Sequence, residues 1–220
     1  MHTHYCLGLL LWLALVSQAH SQGSADRAGS WEAGFHLSSM SSAALDGPFG
    51  ASLDLDNDIG YGFTGGYHFT DRFALMVDAN WARPDYLATF VPDGPGLPQT
   101  IGTKLDVTTI QGKGVFHFFD GDLTPFVELG FGWSSVDSNI IDGPPITGCW
   151  WDFFWGYICR NFYETFTETT TSYSAGIGVR WDLSPEYTMR AGLGTLAIDI
   201  DAGGENPNIE TLQFDFAWRF

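Results

Sequence analysis

Glu32, His36, His68, Asp78, Asn80, Gln111, Lys113, His117, Glu128, Arg180, Arg190, Asp215 and Arg219 are the residues of this chain whose types and spacing could do chemistry together. Each falls on the polar side of a stretch in which alternate positions are apolar. Period-two spacing puts such a set on one face of a strand, so side chains far apart in sequence can meet inside a closed wall. Acids and bases occur in similar number. The chemistry this predicts is charge pairing: Glu32, Asp78, Glu128 and Asp215 against Lys113, Arg180, Arg190 and Arg219, with His68 alongside. Charges removed from water must be paired and hydrogen-bonded. Such a network has two uses, a solid polar core or a narrow gated passage whose pairs exchange partners. Arg180 and Arg190 flank the turn Ser184-Pro185-Glu186, which places them near one end with Arg219. Asp78 and Glu128 are their expected carboxylate partners.

Three further groupings carry other chemistry. His36 and Ser38 share a strand face, as a base and a nucleophile would, but they fall in the inward set and a chance pairing is expected. Asp54-Leu55-Asp56-Asn57-Asp58-Ile59-Gly60 begins like a calcium loop. Its Gly is one place late and no Glu follows at the required spacing, so a solvated acidic loop is expected, with no metal or cofactor site. Cys149 and Cys159 are expected to form a disulfide in an exported chain, rather than a reactive or metal-binding pair. They bracket Trp150, Trp151, Phe153, Phe154, Trp155 and Tyr157. An exposed patch this apolar marks a partner, a ligand or a membrane surface. The other reading is a loop that packs on itself or extends its flanking strands as a hairpin.

The elements that must position these residues are eight alternating segments: 31–40, 59–69, 73–83, 104–119, 125–136, 169–183, 187–201 and 208–220. The last is the plainest, with Leu212, Phe214, Phe216, Trp218 and Phe220 on one face and Gln213, Asp215, Ala217 and Arg219 on the other. In the seventh the apolar set shifts near Gly194-Thr195 to Leu196, Ile198 and Ile200, which predicts a β-bulge. Connections alternate long (41–58, 84–103, 137–168) and short (70–72, 120–124, 184–186). Short turns at one end and long loops at the other are the pattern of an up-and-down membrane barrel, whereas the Greek-key connections of a sandwich mix lengths. Strands of about 10 residues, tilted, match the hydrocarbon thickness. A soluble eight-stranded barrel with an apolar interior is the rival. Aromatics near strand ends (Trp31, Phe69, Phe73, Trp81, Trp133, Trp181, Tyr187, Trp218) and a second face of Gly, Ser, Thr, Ala and a few charges favour lipid outside. The predicted fold class is all-β, an eight-stranded antiparallel up-and-down transmembrane β-barrel. Residues 1–21, with an apolar run over 7–16 too short to span a bilayer, are expected to be a signal peptide, although no Lys or Arg precedes the run. Residues 22–220 form the barrel domain. A net charge of −17 argues against nucleic acid as a partner, since nothing would neutralise its phosphates.

Gly66-Tyr67-His68-Phe69-Thr70-Asp71-Arg72-Phe73-Ala74-Leu75 resembles the second strand, turn and third strand of the OmpA-type family of eight-stranded outer-membrane barrels. Trp181-Asp182-Leu183-Ser184-Pro185-Glu186-Tyr187 resembles a later turn of the same family. The resemblance covers the whole mature chain and implies residence in a Gram-negative outer membrane. It implies contact with outer-membrane lipid and lipopolysaccharide, and recognition of the terminal strand (Phe216, Trp218, Phe220) by the barrel-assembly machinery. No peptidoglycan-binding domain is expected after Phe220. The expected role is a structural or surface-interaction barrel whose external loops meet a surface ligand. A small passive pore is the alternative, and an enzyme acting on outer-membrane lipid through His36 and Ser38 is not expected.

Overall fold

The computed structural model describes residues 26–46, 51–90, 97–141, 143–144, 146–154, 156–163, 165–199 and 208–220. The expected signal peptide, Trp155 and the side chain of Trp150 lie outside these. Fourteen strands form among them: β1 (Trp31–Met40), β2 (Ala43–Asp46), β3 (Ser52–Leu55), β4 (Asp58–His68), β5 (Phe73–Ala82), β6 (Asp85–Phe90) and β7 (Gln99–Lys104), then β8 (Asp106–His117), β9 (Leu123–Ile141), β10 (Ile146–Asp152), β11 (Gly156–Phe162), β12 (Thr165–Asp182), β13 (Tyr187–Ile198) and β14 (Asn208–Arg219). Eight of them close a barrel in the order β1-β14-β13-β12-β9-β8-β5-β4. The seam runs from Glu32 opposite Arg219 to Met40 opposite Thr211. Trp31 N–H donates to Phe220 O and Phe220 N–H to Trp31 O, both at 2.9 Å, so the seam is tied to its last residue.

Alternation decides which side is which. Phe35, Leu37, Phe63, Leu129, Trp133, Ile177 and Phe214 are exposed on the outer face, while Glu32, His36, His68, Arg180 and Arg190 are buried. This inverts the usual order of a water-soluble protein and suits a wall whose outer solvent is hydrocarbon. The soluble rival with an apolar cup is thereby excluded. Glycines thin the inner face of β12 and β13. A Cβ at Gly178 would strike the Phe126 ring, which therefore lies across this glycine-lined part of the wall.

The described parts of the long connections form strands of their own. β2, β3, β6 and β7 form a four-stranded sheet in the order β2-β3-β6-β7 that prolongs β1, β4, β5 and β8. β9 has 19 residues and β12 has 18, well beyond the 9–11 that cross a bilayer. Between them β10 and β11 pair as a hairpin, with Cys149 opposite Cys159 and joined to it by a disulfide.

One expectation is overturned. β13 carries no bulge, since the register runs unbroken through Gly194–Gly176, Thr195–Ala175 and Leu196–Ser174. The apolar set shifts because the inside changes character, not because the strand slips. Leu196 and Ile198 point inward and pack with Met40, Ala82 and Ile209 in an apolar cluster at the long-loop end of the lumen.

Candidate functional site

The lumen is filled in three levels. At the short-turn end, Arg180 Nη2 donates to Glu32 Oε2 at 2.7 Å, and His68 Nε2 lies 3.0 Å from the same oxygen. Arg180 Nε donates to Asp182 Oδ1 at 2.9 Å. Arg27, on the chain just before β1, donates through Nε to Asp182 Oδ2 at 2.7 Å and through Nη1 to Asp71 O at 3.1 Å. Its side chain is 0% exposed, so it acts as a cork rather than a surface charge. Arg219 Nη1 lies 3.6 Å from Asp182 Oδ2, and its Nε donates to Pro185 O at 2.7 Å. His117 sits between the rings of His68 and Phe126, with centroids 5.9 and 6.2 Å away.

At mid-height, Lys113 Nζ lies 3.7 Å from Asp78 Oδ1 and 3.4 Å from Glu128 Oε1. Arg190 Nη2 lies 3.2 Å from Asp215 Oδ1, which also accepts from Gln213 Nε2 at 2.9 Å. His36 Nε2 lies 3.2 Å from Asn80 Oδ1, and Ser38 Oγ donates to that oxygen at 2.8 Å. Both residues of the His-x-Ser pair are thus committed to one amide oxygen.

Above, Gln111 donates to Ser172 at 3.1 Å and accepts from Ser174 at 2.8 Å, and Thr109 meets Ser134 at 2.9 Å. The apolar cluster of Met40, Leu196 and Ile209 lies at this end. Among the described residues, the lumen acids are Glu32, Asp78, Glu128, Asp182 and Asp215, and the lumen bases are Arg27, Lys113, Arg180, Arg190 and Arg219. The two sets cancel.

Every residue proposed from sequence for the network lies in the lumen, but the pairing differs from expectation. Arg180 takes Glu32 and Asp182, and Arg190 takes Asp215, whereas Asp78 and Glu128 go to Lys113. The reason is height. Arg180 is two residues from the end of β12 and meets the start of β1, while Arg190 stands directly across from Asp215 in the ladder. Asp182 was legible as the next inward position after Arg180. Arg27 was not, because it precedes the first alternating segment and carries no periodic signal.

Outside the wall, Arg72 and Asp120 join two short turns through hydrogen bonds of 2.7 and 2.8 Å. These bonds hold the Asp120 carboxyl below the usual aspartate range. The acidic stretch 54–58 holds no loop of calcium type. Asp54 ends in β3 and Asp58 opens β4, where its carboxylate accepts from Arg83 N–H at 2.6 Å. In the hairpin, Trp151 and Tyr157 stand opposite each other and are exposed, and Phe153 (97%) and Phe154 (90%) project at the tip. The described side chains of this patch are thus largely exposed.

The sequence model of the outer membrane protein β-barrel domain matches residues 8–220. Among solved structures, the outer membrane protein OprG of Pseudomonas aeruginosa is similar at a TM-score of 0.57 with 10% identity, covering 88% of this chain and 97% of that one. Neisserial surface protein A is similar at 0.49 with 14% identity, covering 90% and 98%. Ail of Yersinia pestis, solved with the heparin analogue sucrose octasulfate, is similar at 0.47 with 13% identity, covering 86% and 99%. No curated protein sequence matches.

Proposed function

Because this chain belongs to the outer membrane protein β-barrel domain family and sits in the outer membrane, we propose that it is a closed structural barrel that carries an external platform for surface contact. The observation that supports this reading is the filled lumen. A charge-balanced ion network occupies the short-turn end and the middle, and Met40, Ala82, Leu196, Ile198 and Ile209 pack together toward the external mouth. An eight-stranded barrel has an interior just wide enough for side chains, and a lumen filled in this way supports the closed reading over the passive pore. The terminal residues Phe216, Trp218 and Phe220 face outward, where the barrel-assembly machinery and then lipid and lipopolysaccharide would meet them. The disulfide-tied hairpin is the proposed contact for a surface ligand. No catalytic role is proposed.

Planar-bilayer recording tests the reading. The purified barrel is expected to be silent. Stable openings that change when Glu128, Arg180 or Arg190 is neutralised would replace the closed barrel by the passive pore. For the platform, the Cys149→Ser, Cys159→Ser variant should keep the barrel and lose adhesion to surfaces that the wild type binds. Unchanged adhesion would remove the hairpin from the proposal.

A further inference from the structure

We infer that His36, Asp78 and Asp215 form a seat for one divalent transition-metal ion at mid-height in the lumen. Each offers one ligand atom, and these atoms lie within 4.8 Å of one another. Four consecutive strands of the wall bring them together: His36 on β1 stands across from Asp215 on β14 and from Gly62 on β4, and Gly62 stands across from Asn80 on β5, two residues beyond Asp78. Gly62 is required there, because a Cβ at that position would strike the His36 ring.

The hydrogen bonds assign the imidazole. Asn80 Oδ1 is the acceptor shared by Ser38 Oγ and His36 Nε2, so the ring proton of a neutral imidazole sits on Nε2. Nδ1 then carries a lone pair. It makes no hydrogen bond, belongs to a side chain that is 0% exposed, and looks toward Asp78 Oδ2 at 3.4 Å and Asp215 Oδ1 at 4.0 Å. A lone pair facing two carboxylates away from water is unfavourable unless a positive charge lies between them.

Charge at this level points the same way. At this level alone, Asp78, Glu128 and Asp215 face Lys113 and Arg190, and the positive charge that balances the whole lumen lies at the short-turn end. Lys113 takes Asp78 through Oδ1, while Oδ2 lies 3.4 Å from His36 Nδ1 and accepts from Gln213 Nε2 at 3.4 Å. One imidazole nitrogen with two carboxylate oxygens suits zinc, cobalt or nickel rather than calcium, which takes oxygen ligands alone. Ligand atoms about 2.0–2.2 Å from one tetrahedral ion stand about 3.3–3.6 Å apart, the separation His36 Nδ1 and Asp78 Oδ2 already have, so Asp215 is the ligand that must draw in. Asn80, holding Nε2, is the outer partner that fixes the ring. With both ends of the lumen closed, the ion would enter as the barrel folds.

The test is refolding of the untagged mature chain into detergent with an excess of Co²⁺, followed by desalting, metal analysis and a visible spectrum. The expected result is one ion per folded barrel, with cobalt d–d bands. Folded His36→Gln and Asp215→Asn variants, judged by heat-modifiable migration, should retain less than a tenth as much. Asn80→Ala should weaken retention about tenfold. Because those variants can fail to fold, the wild type alone supplies a second readout. On refolding with Zn²⁺, the nitrogen resonance of His36 Nδ1 should shift while those of His68 and His117 stay. Substoichiometric metal in the wild type, equal retention in folded His36→Gln, or an unmoved Nδ1 resonance would overturn the seat.

Discussion

The side chains divide sharply by environment. Arg180 and Glu32 are both fully buried and meet at 2.7 Å, while Arg72 and Asp120 meet at the same distance on the surface. Removing one partner of a buried pair strands the other charge, so Arg180→Met should lower stability by about 3–5 kcal/mol. Urea unfolding in lipid vesicles measures it, and Arg72→Met in the same assay should move the midpoint barely at all. Asp120 predicts a different signature. Its pKa is lowered by Arg72, so its stabilisation is present above the pKa of an unfolded aspartate and fades as pH falls through the lowered value. Asp120→Asn should flatten that acid-side slope at low ionic strength and make no difference in molar salt, read as unfolding midpoint against pH. The inward set was legible because period two sorts Glu32, Asp78 or Arg190 to one face without any knowledge of the fold. Who pairs with whom was not. Height in a barrel depends on strand tilt and stagger, and sequence spacing does not report either, as the transfer of Asp78 and Glu128 to Lys113 illustrates.

Strands and hairpins carry their own predictions. Gly178 has the ring of Phe126 and the backbone of Ala191 where its Cβ would be. Gly178→Val should therefore destabilise the barrel, and Phe126→Ala should partly rescue it, a non-additivity that a double-mutant cycle in vesicles would reveal. Leu196→Ala, in the external stopper, should cost about 2–5 kcal/mol, as other large-to-small changes in packed clusters do. Reduction of Cys149–Cys159 should leave barrel unfolding unchanged yet speed protease cutting between β10 and β11, since a lone two-stranded hairpin is marginal in water. The eight wall strands were readable, although β9 runs on to Ile141 beyond the expected 136 and β12 starts at Thr165 before the expected 169. The upper sheet was not, because β2 and β3 are four residues each and too short to show a period. The supposed bulge in β13 shows a subtler limit. A switch of apolar residues from one face to the other reads as a register slip when the interior is assumed to be polar throughout.

At the level of the whole molecule, an oily exterior around an ionic interior means that the wall is stable only where hydrocarbon or detergent replaces water. The folded barrel should migrate differently from the boiled chain on a gel, and should do so equally with its disulfide reduced, because no wall strand depends on that bond. One side chain joins distant parts of this architecture. Arg27 reaches the β4–β5 turn through Asp71, the β8–β9 turn through the carbonyl of Gly121, and the end of β12 through Asp182. Those three acceptors are spread over the run of wall from β4 to β12, and one side chain spans them. Arg27 thus latches the base, like a keystone in an arch, and a maturation step that left it tethered elsewhere would release a barrel complete in outline but unlatched there.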